Sequence, residues 1–519
     1  MTRPVRPRPA NSPPSPVPFA SRPLLGSATA ALLAAVPLHL PIGSTIAVAF
    51  SYATPASAQD AGTPAASTDQ PATDTSADPA GDTADLVQLV VNLINEADKD
   101  LRALGFDQVR TEVPGAAATR QFAELLPSMA TDAQAGLLSA LADRGDAAAR
   151  DAVVKLLDGT QDEAVRIAAT QALGALGNPT DATRLVQQLS GKSAAEQTAT
   201  RAALVRLAGD ATSREIIALG PAQPVPARVA LLEILATRRA FNTVPELLSL
   251  AVDNEPQVRA AAMTTLGQLA SVDHVPGLVA GVLKAARGPE RDAAEKAVML
   301  VCQRVEPADA RADALLVAIR KLPEADRPQL LSTLGRVGGP AARTAVEEAL
   351  AAPKTHEAAV RGLANWPDAS IAPRLIELVQ SDAHPEHRRL LLKALLRVSV
   401  LGNDSRTDAQ RLELLQQALG MSTRDDERTF ALQRARAVRT VDSLRFLLPY
   451  LDQPPFAETA AESIVELAHH RGLREAHKPE FMAALDRVLA TSKNEVVRDR
   501  AERYQRNQTW TRGSTPAQP

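Results

Sequence analysis

The sequence predicts an all-α chain, a right-handed α-solenoid of stacked antiparallel helical hairpins with no β-sheet. Three observations carry this. From Val165 to Leu189, apolar residues fall twice in succession at spacings of three and four, with a turn between. The same pattern returns down most of the chain at steps near thirty residues. No stretch sustains the apolar–polar alternation of a half-buried strand.

In the reference stretch, Val165, Ala168, Ala169, Ala172, Leu173 and Leu176 share one helical face. Thr160 and Glu163 stand at capping-box spacing. Gly177 and Asn178 suit a helix end, and Pro179 cannot continue it. Ala182, Leu185, Val186 and Leu189 form a second stripe. Helices this short are marginal alone in water, so each needs a neighbour to cover its stripe. Repetition supplies one. A shift of 93 residues lands on Val258, Ala261, Ala262, Leu266 and Leu269, then Val275, Leu278, Val279 and Val282. A shift of 190 lands on Ala358, Ala359 and Leu363, then Ala372, Leu375, Ile376 and Val379.

The runs VRIAATQALGALGN (Val165 to Asn178), VRAAAMTTLGQLAS (Val258 to Ser271) and LSTLGRVGGPAARTAV (Leu331 to Val346) resemble the HEAT-repeat family. The likeness is nearer to its short, alanine-rich, phycobilisome-lyase-like branch, in an exported bacterial type. It covers roughly three-quarters of the chain, Gln121 to Gln505, and lies in scaffold positions. It therefore implies a fold and little chemistry.

In chain order, residues 1–58 have the form of a signal peptide. Arg3, Arg6, Arg8 and Arg22 come without an acid, an alanine-rich apolar stretch runs from Leu24 to Phe50, and Ala56-Ser57-Ala58 is an A-x-A cleavage site. The stretch is nearly long enough for a membrane anchor, which is the alternative. Pro37 and Pro41 interrupt it and favour cleavage near Ala58, hence a periplasmic or extracellular chain. Residues 59–85, rich in Ala, Thr, Pro and Asp, have six acids and no base and too little apolar mass to order, so they read as a disordered linker. Residues 86–120 read as an N-terminal helical cap, with Leu86, Leu89, Val90, Leu93 and Ile94 on one stripe and Pro114-Gly115 as a break. Residues 121–506 are the repeat solenoid, with extra loop residues expected near Glu306 and Gly402. Its last helix, from Asn494, is polar, and only Val496, Val497, Ala501 and Tyr504 are expected to pack inward. Residues 507–519 read as a disordered tail.

The formal charge is −3, and the four leading arginines and six linker aspartates leave the solenoid near −1. Near-neutrality excludes a general nucleic-acid footprint. Aromatic content of 3% excludes extensive base or sugar stacking. Cys302 stands alone, so no internal disulfide forms, and it reads as a small buried residue.

Seven histidines follow residue 58. His384-Pro-Glu-His387 places two imidazoles near a helix start, but no third or fourth ligand stands at defined spacing, so a turn into the helix is expected there. His469-His470 is expected to cap a helix end. Deoxyhypusine hydroxylase, a HEAT-like enzyme, holds two irons with four His-Glu pairs; this chain has one, His356-Glu357, so that activity is not carried over. No residue is nominated for chromophore transfer of the bilin-lyase kind. No G-x-S-x-G, Walker or dinucleotide fingerprint occurs. No catalytic, cofactor-binding or metal residue is nominated, and no cofactor is expected.

Candidate partner-binding residues are few. Arg374, Arg411 and Arg445 each fall in a second helix, which in HEAT-like stacks lines the concave face, and could form a ladder. Pairing with Glu377, Glu413 and Asp442 is the plainer reading. Trp366 stands at a hairpin turn, where it either fills a gap in the stack or anchors a partner. The expectation is a non-enzymatic exported scaffold binding a protein or envelope component on its concave face. The alternatives are a metal- or cofactor-dependent enzyme built on repeats, with His384 and His387 as ligands, and a structural spacer without a ligand.

Overall fold

A computed structural model describes residues 79–191, 193–381 and 384–511. The expected signal, most of the expected linker and the residues after 511 lie outside these. The described residues form α-helices and short 3₁₀ turns, with no strand among them. The helices stand in two layers. A first layer includes Lys99–Thr111, Thr131–Arg144, Glu163–Leu176, Ala194–Arg206, Val225–Thr237, Pro256–Leu269 and Pro289–Cys302, each packed on the next. It continues through Leu331–Val337, His356–Ala364, Pro385–Ser399, Asp425–Ala435 and Ala457–His469 to Glu495–Gln505. A second helix, shorter in most repeats, follows each of these except the last, from Ala116–Glu124 to Lys478–Thr491. Helices at Glu163, Ala194, Val225 and Pro256 begin 31 residues apart. The two longest steps fall before Leu331 and before Asp425, as the expected insertions require. No described helix is long and apolar enough to cross a membrane.

The reference hairpin shows why the chain folds this way. Val165, Ala169, Ala172, Leu173 and Leu176 are buried on its first helix, and Ala182, Leu185, Val186 and Leu189 on its second strip. The cap differs from expectation. Asp162, rather than Thr160, accepts from the Val165 amide at 3.0 Å, and Asp162 is the better acceptor because its carboxylate also meets the helix dipole. At the turn, Asn178 accepts from the Thr180 amide at 2.9 Å and Asp181 from the Asn178 amide at 2.9 Å. Asp181 is buried and takes Arg150 of the preceding repeat at 2.6 Å, which ties consecutive turns together.

First-layer helices approach closely because small residues face each other. A Cβ on Gly174 would stand 2.6 Å from the Ala203 Cα, and one on Gly267 would stand 3.1 Å from the Ala297 Cα. At Gly335 a Cβ would overlap the backbone carbonyl of Gly362 in the next repeat. Arginines close the helix ends. The last carbonyls of an α-helix have no partner within it. Arg144 donates to the carbonyls of Val109 and Glu112, both at 2.8 Å, and of Val113. Arg238 donates to those of Leu204, Val205, Leu207 and Gly209 at 2.6–3.1 Å. Arg304 serves Gln268 and Ala270, and Arg397 serves Ala364 and Trp366. Burial holds the Arg238 and Arg397 guanidinium groups below the usual arginine range.

Both ends of the chain depart from expectation. The first helix spans Pro79–Ile94 and so enters the stretch expected to be linker. Its buried stripe is Val87, Val90 and Ile94, while Leu86 and Leu89 face outward with Leu101 and Leu104 of the next helix. Regular hairpins start at Lys99, not Gln121: Arg144 grips the end of Lys99–Thr111 as later arginines grip later repeats. The pattern is faint there because only Gly105 and Val109 of that helix are buried. In the last helix Val497, Ala501 and Tyr504 are buried, but Val496 is 54% exposed because it lies one position round from Val497. Trp510, expected in a disordered tail, packs against the core with Arg500 over its ring.

Two outcomes follow for stability. Gly335→Ala is expected to lower stability by about 1–3 kcal/mol, the scale of overpacking, whereas Gly159→Ala, which meets nothing within 4 Å, is expected to be near neutral in the same thermal melt. Arg238→Ala is expected to cost about 1–3 kcal/mol by leaving buried acceptors unpaired. Arg238→Lys should rescue little, since one ammonium cannot reach four carbonyls arranged for a planar fork; full rescue in a denaturant titration would show that charge alone matters.

Candidate functional site

Second-layer helices leave clefts between them. One of about 530 Å³ opens between Asp210–Leu219 and Val244–Leu250, with Leu231, Leu232 and Leu235 as its floor and Ile217 and Leu250 on its walls. Arg214 and Glu246 stand at its rim. Another of about 580 Å³ opens between Asp313–Arg320 and Pro340–Ala351, lined by Leu316, Ile319, Leu331, Ala341 and Ala345, with Arg320 and Glu348 among its polar groups. An apolar floor with a few charged groups around it suits an apolar side chain carried on a polar backbone.

A third cleft, of about 540 Å³, lies among first-layer helices and is polar. Its groups satisfy each other. Buried Glu295 accepts from Ser332 at 2.9 Å and from Arg336 at 2.7 Å, Arg336 also reaches Asp292, and Asn365 donates to Ser332. This network binds repeats together across the longer step.

The candidate arginines lie on three second helices and are engaged within the chain. Arg374 meets Glu347 at 3.1 Å and Glu377 at 2.9 Å. Arg445 meets Glu480 at 2.8 Å and Asp442 at 2.9 Å. Arg411 meets Asp408 at 2.6 Å and donates to the Leu401 carbonyl at 3.0 Å. Its partners are thus Asp408 and the long loop after Val400 rather than Glu413. Desolvation opposes it, but the hydrogen bonds that Arg374 donates to Glu377 and Arg445 donates to Glu480 hold both guanidinium groups above the usual arginine range. Trp366 takes the first of its two expected roles and not the second. It is 1% exposed, and its Nε1 donates to Ser370 Oγ at 3.0 Å. A buried indole offers no surface to a partner, so Trp366 packs the stack instead of anchoring a ligand.

The histidines bring a correction. His356 opens one first-layer helix, and His384 and His387 open the next. The ring centroids of His356 and His384 are 4.1 Å apart, and those of His387 are 5.4 and 5.6 Å from them. One nitrogen from each lies within 4.8 Å of the others, so a third imidazole, not evident at short spacing, stands beside the other two in space. The signal was available: His356 precedes His387 by 31 residues, one regular repeat step. His469 ends its helix and His470 is the C-cap residue, as expected. His469 Nδ1 meets the Tyr504 hydroxyl at 2.9 Å, and Arg474 takes the Ala468 carbonyl. Cys302 is buried, and burial pushes its thiol up to about 11, which fits a packing residue.

Residues 119–208 match the family model described as HEAT repeats, and residues 244–272 match the one described as HEAT repeat. No curated protein matches the sequence. Among solved structures, Kap121p bound to Nup53p is 14% identical over 81% of this chain and 53% of that one, with a TM-score of 0.40. Kap95p, solved with RanGDP, is 14% identical over 82% of this chain and 66% of that one, with a TM-score of 0.38. Human deoxyhypusine hydroxylase is 15% identical over 65% of this chain and 99% of that one, with a TM-score of 0.21. The chain spans about half the length of the Kap121p chain.

Burial of Trp366 is open to a direct check. With Trp510 replaced by Phe, the emission of Trp366 is expected to be blue-shifted and to resist iodide in the folded chain. Quenching as efficient as in the unfolded chain would place the ring at the surface.

Proposed function

We propose that this chain, a HEAT-repeat protein, is a non-enzymatic scaffold that binds a protein partner through the face formed by its second helices, which the HEAT resemblance expects to be concave. The observation that supports this reading is the pair of apolar clefts in that layer, at Ile217–Leu250 and at Leu316–Ala345, set on a self-satisfied polar frame. Unlike the polar cleft of the first layer, they leave apolar walls without a partner. A peptide or helix presenting two apolar side chains about three repeats apart fits this pair. The near-neutral solenoid and its paired arginines favour shape and apolar contact over charge as the source of affinity. The proposal includes export, on the arginine-rich start and the Ala56-Ser57-Ala58 site, so the partner is sought in the cell envelope.

The test uses the chain from Gln59 onward as bait in envelope extracts, with crosslinking and mass spectrometry. Crosslinks are expected on the second helices. Ser249→Trp and Thr344→Trp each place an indole at a cleft from an exposed position and are expected to reduce capture of the same partner by roughly tenfold, about 1.4 kcal/mol. Capture unchanged in both variants, or crosslinks confined to the first layer, would overturn the assignment of this face.

A further inference from the structure

We propose that His356, His384 and His387 form a metal-binding site for a divalent late first-row transition ion of the zinc class. None of these histidines lines the clefts above, and the three stand where two consecutive repeats meet.

Three features point to it. First, the donor set fits. Three imidazoles suit zinc, copper, nickel or iron rather than calcium or magnesium, which take oxygen ligands. Second, tautomers are set as ligation requires. His356 Nδ1 lies 2.8 Å from the Leu350 carbonyl, which can only accept, so Nδ1 carries the proton and Nε2 keeps its lone pair. His384 Nδ1 lies 3.2 Å from Glu386 Oε1, which holds that ring the same way. A carbonyl or carboxylate behind a histidine is the usual support for a metal ligand. Third, His387 Nδ1 is buried and without a hydrogen-bond partner, its nearest acid oxygen, on Glu386, being 4.0 Å away. A buried polar atom left unpaired asks for a ligand.

The geometry is close to that of a tetrahedral centre. Metal–nitrogen bonds of about 2.0–2.1 Å at tetrahedral angles put ligand nitrogens about 3.3 Å apart and ring centroids about 5 Å apart. Two of the three centroid distances, 5.4 and 5.6 Å, already agree, and the pair at 4.1 Å must open by about 1 Å. His384 is half exposed, so its side chain is free to make that adjustment. Two helix N-termini meet at the cluster, and their dipoles oppose a cation. Glu357 and Glu386 sit in the first turns of those helices and offset them. Those same carboxylates disfavour an anion at this place. Three protein ligands leave one position for water.

Full-length protein without an affinity tag is dialysed against Zn²⁺ and analysed for bound metal, and Co²⁺ is titrated with visible absorption as the readout. One ion per chain is expected, with the Co²⁺ spectrum of a four-coordinate nitrogen site. His356→Ala is expected to abolish it, and Glu386→Gln to weaken it by about tenfold, the scale for a supporting group. His384→Ala serves as the folding control, because that ring is exposed. Its melting temperature without metal should equal that of the parent, while the rise caused by Zn²⁺ is lost. No stoichiometric uptake, uptake that survives His356→Ala, or stabilisation by inorganic phosphate in place of Zn²⁺ would each overturn the proposal.

Discussion

The grip of an arginine on the open end of the preceding helix is the interaction on which this stack depends. Each first-layer helix ends at a turn, so its last carbonyls point into the seam between repeats with no amide to meet them. Water reaches such a seam poorly. A guanidinium from the next repeat, as at Arg144, Arg238, Arg304 and Arg397, satisfies several carbonyls at once and stays charged despite burial. It also sets the spacing, because its fork must reach carbonyls one repeat back while its own helix packs on theirs.

Close packing of the first layer makes that reach possible. Gly174, Gly267 and Gly335 remove the side chain where a neighbouring helix passes, so backbones come within contact of each other. The second helices are mostly shorter and carry Leu, Ile and Val on their inner faces. They part in places and leave the core side chains Leu231, Leu232 and Leu235 as the floor of a cleft. Sealing by arginine on one layer and parting on the other give the chain one self-satisfied face and one with apolar openings.

Most charged side chains are absorbed by the stack itself. Arg150–Asp181, Arg259–Glu290, Arg374–Glu347 and Arg445–Glu480 all cross between repeats. Their pairing explains why a ladder of arginines read along the sequence does not translate into a charged binding surface. The histidine cluster differs, since its three rings meet one another rather than an internal counter-charge for each.

The sequence by itself determined the hairpins, their breaks, the two longer steps and which apolar residues face inward over most of the array. These depend on local periodicity and turn chemistry, both written in short windows: Val165, Leu173 and Leu185 are buried as their spacing requires. It did not reveal the first repeat, where Lys99–Thr111 buries too few residues to show a stripe. Only the tertiary structure decided what meets across the seams: that Trp366 turns inward to Ser370, that Arg411 is held by a loop, and that His356 joins His384 and His387. Those meetings join residues a whole repeat apart, and their register depends on how the intervening turns offset one hairpin on the next. No periodicity within a single helix encodes that offset.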